Sequence, residues 1–261
     1  MTRRQRQRAF RGTLYAVFVL AIAGLLLVAD WGRIASQFFD PEISRAMFPG
    51  IVTIAAKNTV VYTAVAFFFG LLGGLLLALM RLSPIAPYRW VATFYIEVFR
   101  ALPALLTIFL FAFGIPIAFG WRAPGGVTGA GVIGLVVVAA AYMAETIRAG
   151  IEAVPRGQVE AARSLGMSPG WAMISVVLPQ AFRIVIPPLT NELVLLIKDT
   201  SLLAFAGATV ASRELLGYAR VELFNYGNSS PLIVAGAIYA AITIPLTQLV
   251  RVLERRNRRS R

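Results

Sequence analysis

The chain has no cysteine, no histidine and only two lysines, Lys57 and Lys198, among 261 residues. Without cysteine there are no disulfide staples, and without Cys and His the usual transition-metal ligands are missing. Neither lysine follows the GxxxxGK[ST] pattern of a phosphate-binding loop, so ATP hydrolysis is not expected on this chain. No nucleophile–base arrangement supports a membrane hydrolase either. Charge is also scarce. Only 14% of residues are charged, against about 25% in a soluble domain, and 58% are hydrophobic with a mean hydropathy of +0.75. Such a chain belongs in lipid.

The apolar residues gather into runs. A bilayer core takes about 20 apolar helical residues, and six segments qualify: 14–29, 59–80, 95–119, 127–149, 184–204 and 232–250. The expected fold is therefore all-α, with six transmembrane helices. The first run is long and no small-residue cleavage site follows it, which argues against a cleavable signal peptide. Pro41, Glu42 and the Phe48-Pro49-Gly50 break predict a short interfacial helix in the loop 30–58. Trp121 to Gly126 reads as a tight turn, and 207–231 as a longer stretch containing one amphipathic helix. Gly70, Gly73 and Gly74 allow close helix packing in lipid.

The net charge of +13 would suggest nucleic acid if it lay on one folded face. Instead it falls in blocks that alternate with uncharged runs, the signature of membrane topology, and no nucleic-acid partner is expected. Arg3, Arg4, Arg6, Arg8 and Arg11 precede the first run, Arg81 and Arg89 follow the second, Arg156 and Arg163 follow the fourth, and six arginines from Arg251 to Arg261 follow the sixth. The opposite loops are nearly balanced, Arg213 and Arg220 standing against Glu214 and Glu222. Six spans with both termini in the cytoplasm satisfy every loop. The terminal arginines then face anionic headgroups.

One cytoplasmic segment, 155–179, is polar and broken by glycine. Gln158 to Leu165 suits a short helix, Gly166 can stop it in the left-handed conformation, and Ser168-Pro169 reads as an N-cap with Pro at the first helical position. Leu178-Pro179 reads as the return to the membrane. Two helices joined at Gly166 form a knuckle that can sit in a cleft on another protein. The spacing Glu160-Ala161-Ala162, three residues, Gly166, nine residues, Val176, one residue, Leu178-Pro179 resembles the EAA coupling loop of ABC-importer permeases, with Val176 where Ile is usual. Tyr95 to Pro103, Glu145 to Arg148 through Gly157-Gln158, and Lys198 to Leu202 resemble the polar amino acid branch of that family.

The resemblance covers about 53–252. It implies a five-helix core over 59–252 with the coupling loop 155–179, an added N-terminal helix at 14–29 and basic ends at 1–13 and 253–261. It also implies a bacterial inner-membrane permease for a polar amino acid, working with a second permease chain, identical or homologous. Separate ATPase subunits holding ATP and Mg and an external substrate-binding protein complete the expected set, with no cofactor or metal on this chain. Glu160, Ala161, Ala162, Gly166, Val176, Leu178 and Pro179 would couple the ATPase to transport.

Ionisable groups within apolar spans are costly, at least about 2.5–3.5 kcal/mol near the bilayer centre, so they face protein or water. Glu97 and Arg100 share a helix face, as do Glu145, Arg148 and Glu152. Snorkelling and local ion pairing compete here with a cytoplasmic gate. Lys198 and Asp199 point about 100° apart on a regular helix, so each needs a partner from another helix, another subunit or water. With Thr200, Ser201 and Glu192, one heptad before Asp199, they form either an inter-helix network or part of a substrate path. An ion-coupled transporter titrating Glu97, Glu145 or Asp199, and a non-transporting scaffold, are the readings from other classes. Neither accounts for the Glu160–Pro179 spacing.

Overall fold

The computed structural model describes residues 3–259, and no strand occurs among them. Five unbroken apolar helical segments are long enough to cross a membrane, and a bent pair makes the sixth. The first, α1 (Arg3–Val28), leaves its apolar span Phe10–Val28 without a buried residue. Two short helices follow, α2 (Trp31–Phe38) and α3 (Pro41–Ala46), where one interfacial helix was expected. Asp30 caps α2 and Asp40 caps α3, each accepting hydrogen bonds from the first-turn amides.

Helix α4 (Lys57–Leu82), entered through a π turn at Ile51–Ala56, packs along α8 (Gly126–Glu152). The buried face of α4 reads Thr59, Thr63, Ala66, Gly70, Gly74, Ala78, small side chains at helical spacing. Lipid supplies no hydrophobic drive between helices, so close backbone approach and dispersion hold the pair. A Cβ on Gly74 would stand 2.8 Å from the Met143 Cβ and 3.0 Å from the Ala144 amide nitrogen. Helix α8 is the centre of the subunit: 67% of its span is buried, and it also packs on α5, α6 and α11.

The third expected span, 95–119, is not one helix. Helix α5 (Ala86–Ala101) meets α6 (Ala104–Phe109) at 107°, and the chain continues through a π turn at Leu110–Gly114 into α7 (Ile115–Phe119). Pro103 is the cause: it offers no amide and drives Leu102 into an extended conformation, with ψ 141°. Glu97 and Arg100 therefore lie in the last turns of α5, rather than the first turns of a span.

After α9 (Arg156–Ser164), helix continues without a break from Pro169 to Phe205. It comprises α10 (Pro169–Ala172), a π turn at Met173–Val177, α11 (Leu178–Asp199) and a 3-10 segment at Thr200–Phe205. Leu178-Pro179 thus lies inside helix, and the fifth span begins well before 184. The π turn sits where Pro179 removes a ladder amide. Helix α12 (Leu215–Tyr226) then packs against α13 (Ser230–Arg259), the last span.

Candidate functional site

The segment after α8 forms two helices, α9 and α10, joined through Gly166. Gly166 takes φ +86°, where an L side chain is strained, and a Cβ there would meet nothing within 4 Å. Backbone geometry, not crowding, selects the glycine. The Met167 amide reaches back to the Ala162 carbonyl at 3.2 Å, closing the end of α9, and Arg163 Nη1 donates to the Met167 carbonyl at 2.7 Å. Ser168 Oγ accepts from the Trp171 amide, and Pro169 opens α10.

The knuckle is fixed from above and bare below. Ile147, Ile151 and Val154 from the end of α8 share one core with Val177, Ala181 and Val185 and with Ala78 of α4, and Val159 and Leu178 pack against it. A Cβ on Gly150 would overlap the Val185 Cγ2, so α8 and α11 are in contact at that level. On the other side Leu165 is 85% exposed and Trp171 61%. Glu160, Ala161 and Gly166 are exposed, while Ala162 is buried and holds α9 to the subunit. Val176 and Leu178 are half-buried and Pro179 is exposed. The neighbour of Val176, Val177, is the residue buried in that core.

The gate candidates separate into two groups. Near the end of α8, Arg148 pairs with Glu145, and with Glu152 at 2.5 Å. Arg81, at the end of α4, spans two carboxylates: Nη1 reaches Glu145 Oε2 at 2.8 Å and Nη2 reaches Glu97 Oε1 at 3.3 Å. Glu97 therefore pairs with Arg81, and not with Arg100 on its own helix. Arg100 instead stacks over the Tyr142 ring at 5.7 Å.

The second group lies on α11 and just after it. Lys198 is exposed in the single subunit, Asp199, Glu192 and Ser201 are half-buried, and Thr200 is buried with its hydroxyl on the Ile197 carbonyl at 2.6 Å. None of the ion pairs found among the described residues involves Lys198, Asp199 or Glu192. Thr200 is buried, so the accessible polar groups of this cluster are Glu192, Lys198, Asp199 and Ser201.

Two participants have no signal in the sequence pattern. Arg81 looks like an ordinary positive-inside residue, and only the fold brings it to carboxylates 16 and 64 positions away. Glu214, read as a loop charge, is 2% exposed. Its carboxylate accepts from the Leu216 and Gly217 amides and from the Tyr239 hydroxyl at 2.8 Å, which pins the start of α12 to α13. Thr59 of α4 accepts from the neighbouring Leu215 amide. Burial pushes the Glu214 carboxyl up to about 7, against the opposing pull of those three donors.

The family model for the binding-protein-dependent transport system inner membrane component matches residues 70–259. The probable glutamine ABC transporter permease protein GlnM of Bacillus subtilis is 38% identical over 209 residues, covering 78% of this chain and 91% of GlnM. The arginine transport system permease protein ArtQ of the same organism is 36% identical, with 76% of this chain and 88% of ArtQ covered. Among solved structures, an amino acid ABC transporter with histidines matches with a TM-score of 0.72 at 38% identity, over 80% of this chain and 94% of that one. The methionine ABC transporter MetNI matches in fold, with a TM-score of 0.59 at 21% identity.

Proposed function

Because the chain belongs to the family of binding-protein-dependent transport system inner membrane components, we propose that it passes a polar amino acid through the membrane, driven by ATP hydrolysed on a separate subunit docked at the knuckle. It is a permease component of an ABC importer in the inner membrane. The names of its relatives support an amino acid as the cargo. The ion-coupled alternative finds no support among them.

The observation that carries the coupling role is the contrast between the two faces of the knuckle. Its inner face shares a core with α4, α8 and α11, so a push on it moves those helices as one body. Its outer face presents Glu160, Leu165 and Trp171 to a partner. ATP and Mg belong on that partner, and no catalytic group on this chain is required. A second permease chain completes a path beside Glu192, Lys198, Asp199 and Ser201, where an ammonium and carboxylates complement the two charges of an amino acid. An external binding protein delivers the solute to the face carrying α2, α3 and α12. Both termini then lie in the cytoplasm, a placement the arginine distribution supports. Alternating access is a two-state equilibrium that ATP and the loaded binding protein each bias.

The test is capture from detergent with the intact chain and with Glu160→Arg, partners being identified by mass spectrometry. A P-loop ATPase recovered with the intact chain and lost with the variant is the expected result. No ATPase recovered by well-folded intact chain would overturn the assignment of the knuckle.

A further inference from the structure

We propose that Arg81 is a positioning residue of the transport cycle, a two-armed link that passes movement of the knuckle to the bent helix pair α5–α6. The inference rests on the coupling role of the knuckle. Five side chains from three helices form one chain of ion pairs in the order Glu152, Arg148, Glu145, Arg81, Glu97. Its first three members stand on the last turns of α8, and α9 starts at Arg156, just past Glu152. They ride with the knuckle, because Ile147 and Ile151 on the same turns belong to the core that holds it. The far member, Glu97, stands on α5, one turn before the 107° break at Leu102-Pro103. Among the described residues, Arg81 is the side chain ion-paired to both α8 and α5.

The two arms differ. The Glu145 arm is short, 2.8 Å, and joins side chains only 20% and 22% exposed. The Glu97 arm is 3.3 Å long and ends on a carboxylate 62% exposed. The shielded pair is screened little by water, whereas the outer pair can separate and be hydrated at little cost. The geometry is that of a fixed pin with a releasable latch. When α8 shifts against α5, the Glu97 arm breaks first, and it re-forms on return. Release frees the end of α5, and with it Arg100, which stands over the Tyr142 ring of α8. A guanidinium suits this position because its planar fork holds two carboxylates at once, and a lysine ammonium does so poorly.

The test uses the assembled transporter in proteoliposomes, with substrate moved per ATP hydrolysed as the readout, in Glu97→Gln, Arg81→Lys, the double variant and Arg81→Gln. Glu97→Gln and Arg81→Lys should each lower that ratio about 1.5- to 5-fold, the fold-change equivalent to an exposed pair. The double variant should be no worse than either single one, since all three lose the same arm. Arg81→Gln, which also removes the pin, should fall further than any of the three. Capture of the ATPase should match that of the intact chain throughout. An unchanged ratio in Glu97→Gln, or losses that multiply in the double variant, would overturn the latch while leaving the knuckle's role standing. No ATPase captured by the intact chain would overturn both.

Discussion

Replacing Gly74 by Ala adds one methyl to the seam between α4 and α8. That methyl would sit 2.8 Å from the Met143 Cβ, 3.0 Å from the Ala144 nitrogen and 3.1 Å from the Ala140 carbonyl oxygen. Two of these neighbours are backbone and the third is a Cβ, so no rotamer change relieves the overlap. The helices must separate instead. Overpacking of this kind costs about 1–3 kcal/mol, and the gain of Ala over Gly in a helix returns about 0.5–1 kcal/mol. Gly236→Ala on α13 is the reference, because a Cβ there meets nothing within 4 Å and only the propensity gain remains. The two variants should therefore differ by about 1–3 kcal/mol. At about 2–4 °C per kcal/mol, the Tm of Gly74→Ala should lie roughly 2–12 °C below that of Gly236→Ala. Thermal denaturation of both in the same detergent, followed by size-exclusion recovery, reads the difference. Equal Tm values would refute the claim that close contact of α4 with α8 holds the subunit together.

Other perturbations test separate parts of the account. Gly166→Pro cannot adopt φ +86°, so it should abolish binding-protein-stimulated ATPase activity without preventing membrane insertion; normal stimulation would remove the hinge from the mechanism. Leu165→Asp places a charge on the outer tip of the knuckle, 85% exposed in the free subunit, and should weaken ATPase capture at least about tenfold while leaving Tm unchanged. Glu214 gives a pH signature. Its folded value of about 7 lies above the ordinary 4.5, so its contribution to stability is fully present below about pH 4.5 and is lost as pH rises through 7. That loss is about 3.5 kcal/mol at about 1.4 kcal/mol per unit. Between pH 5 and 8 the intact chain should lose more Tm than Glu214→Gln, and parallel slopes would contradict the buried carboxyl.

The six spans and the knuckle were legible because each rests on local chemistry. Apolar runs of bilayer length, the small-residue stripe through Gly70 and Gly74, the left-handed Gly166 and the Ser168-Pro169 start all act within a few residues of themselves. The bend at Leu102-Pro103 was hidden because apolar residues continue on both sides, so hydropathy sees one run where Pro103 sets two directions. The early start of the fifth span was missed for the converse reason. Gln180 and Arg183 break the apolar run, so hydropathy starts the span at 184, yet half of a membrane helix near its end can face protein or headgroups. Glu97 and Arg100 have the spacing of a pair, but the fold gives Glu97 to Arg81 and turns Arg100 over Tyr142. Glu214 reads as a solvated charge beside Arg213, and only the meeting of α12 with α13 buries it. For Glu97, Arg100 and Glu214 the missing information was a tertiary partner far away in the chain.

The most direct test of the central claim is solute uptake by the permease reconstituted in liposomes with its ATPase and binding protein. ATP is confined to the side bearing the knuckle, and ionophores collapse any proton or sodium gradient. Amino-acid uptake that requires both ATP and the binding protein, and that survives the ionophores, is the predicted result. Uptake that proceeds without ATP and disappears with the gradient would contradict it.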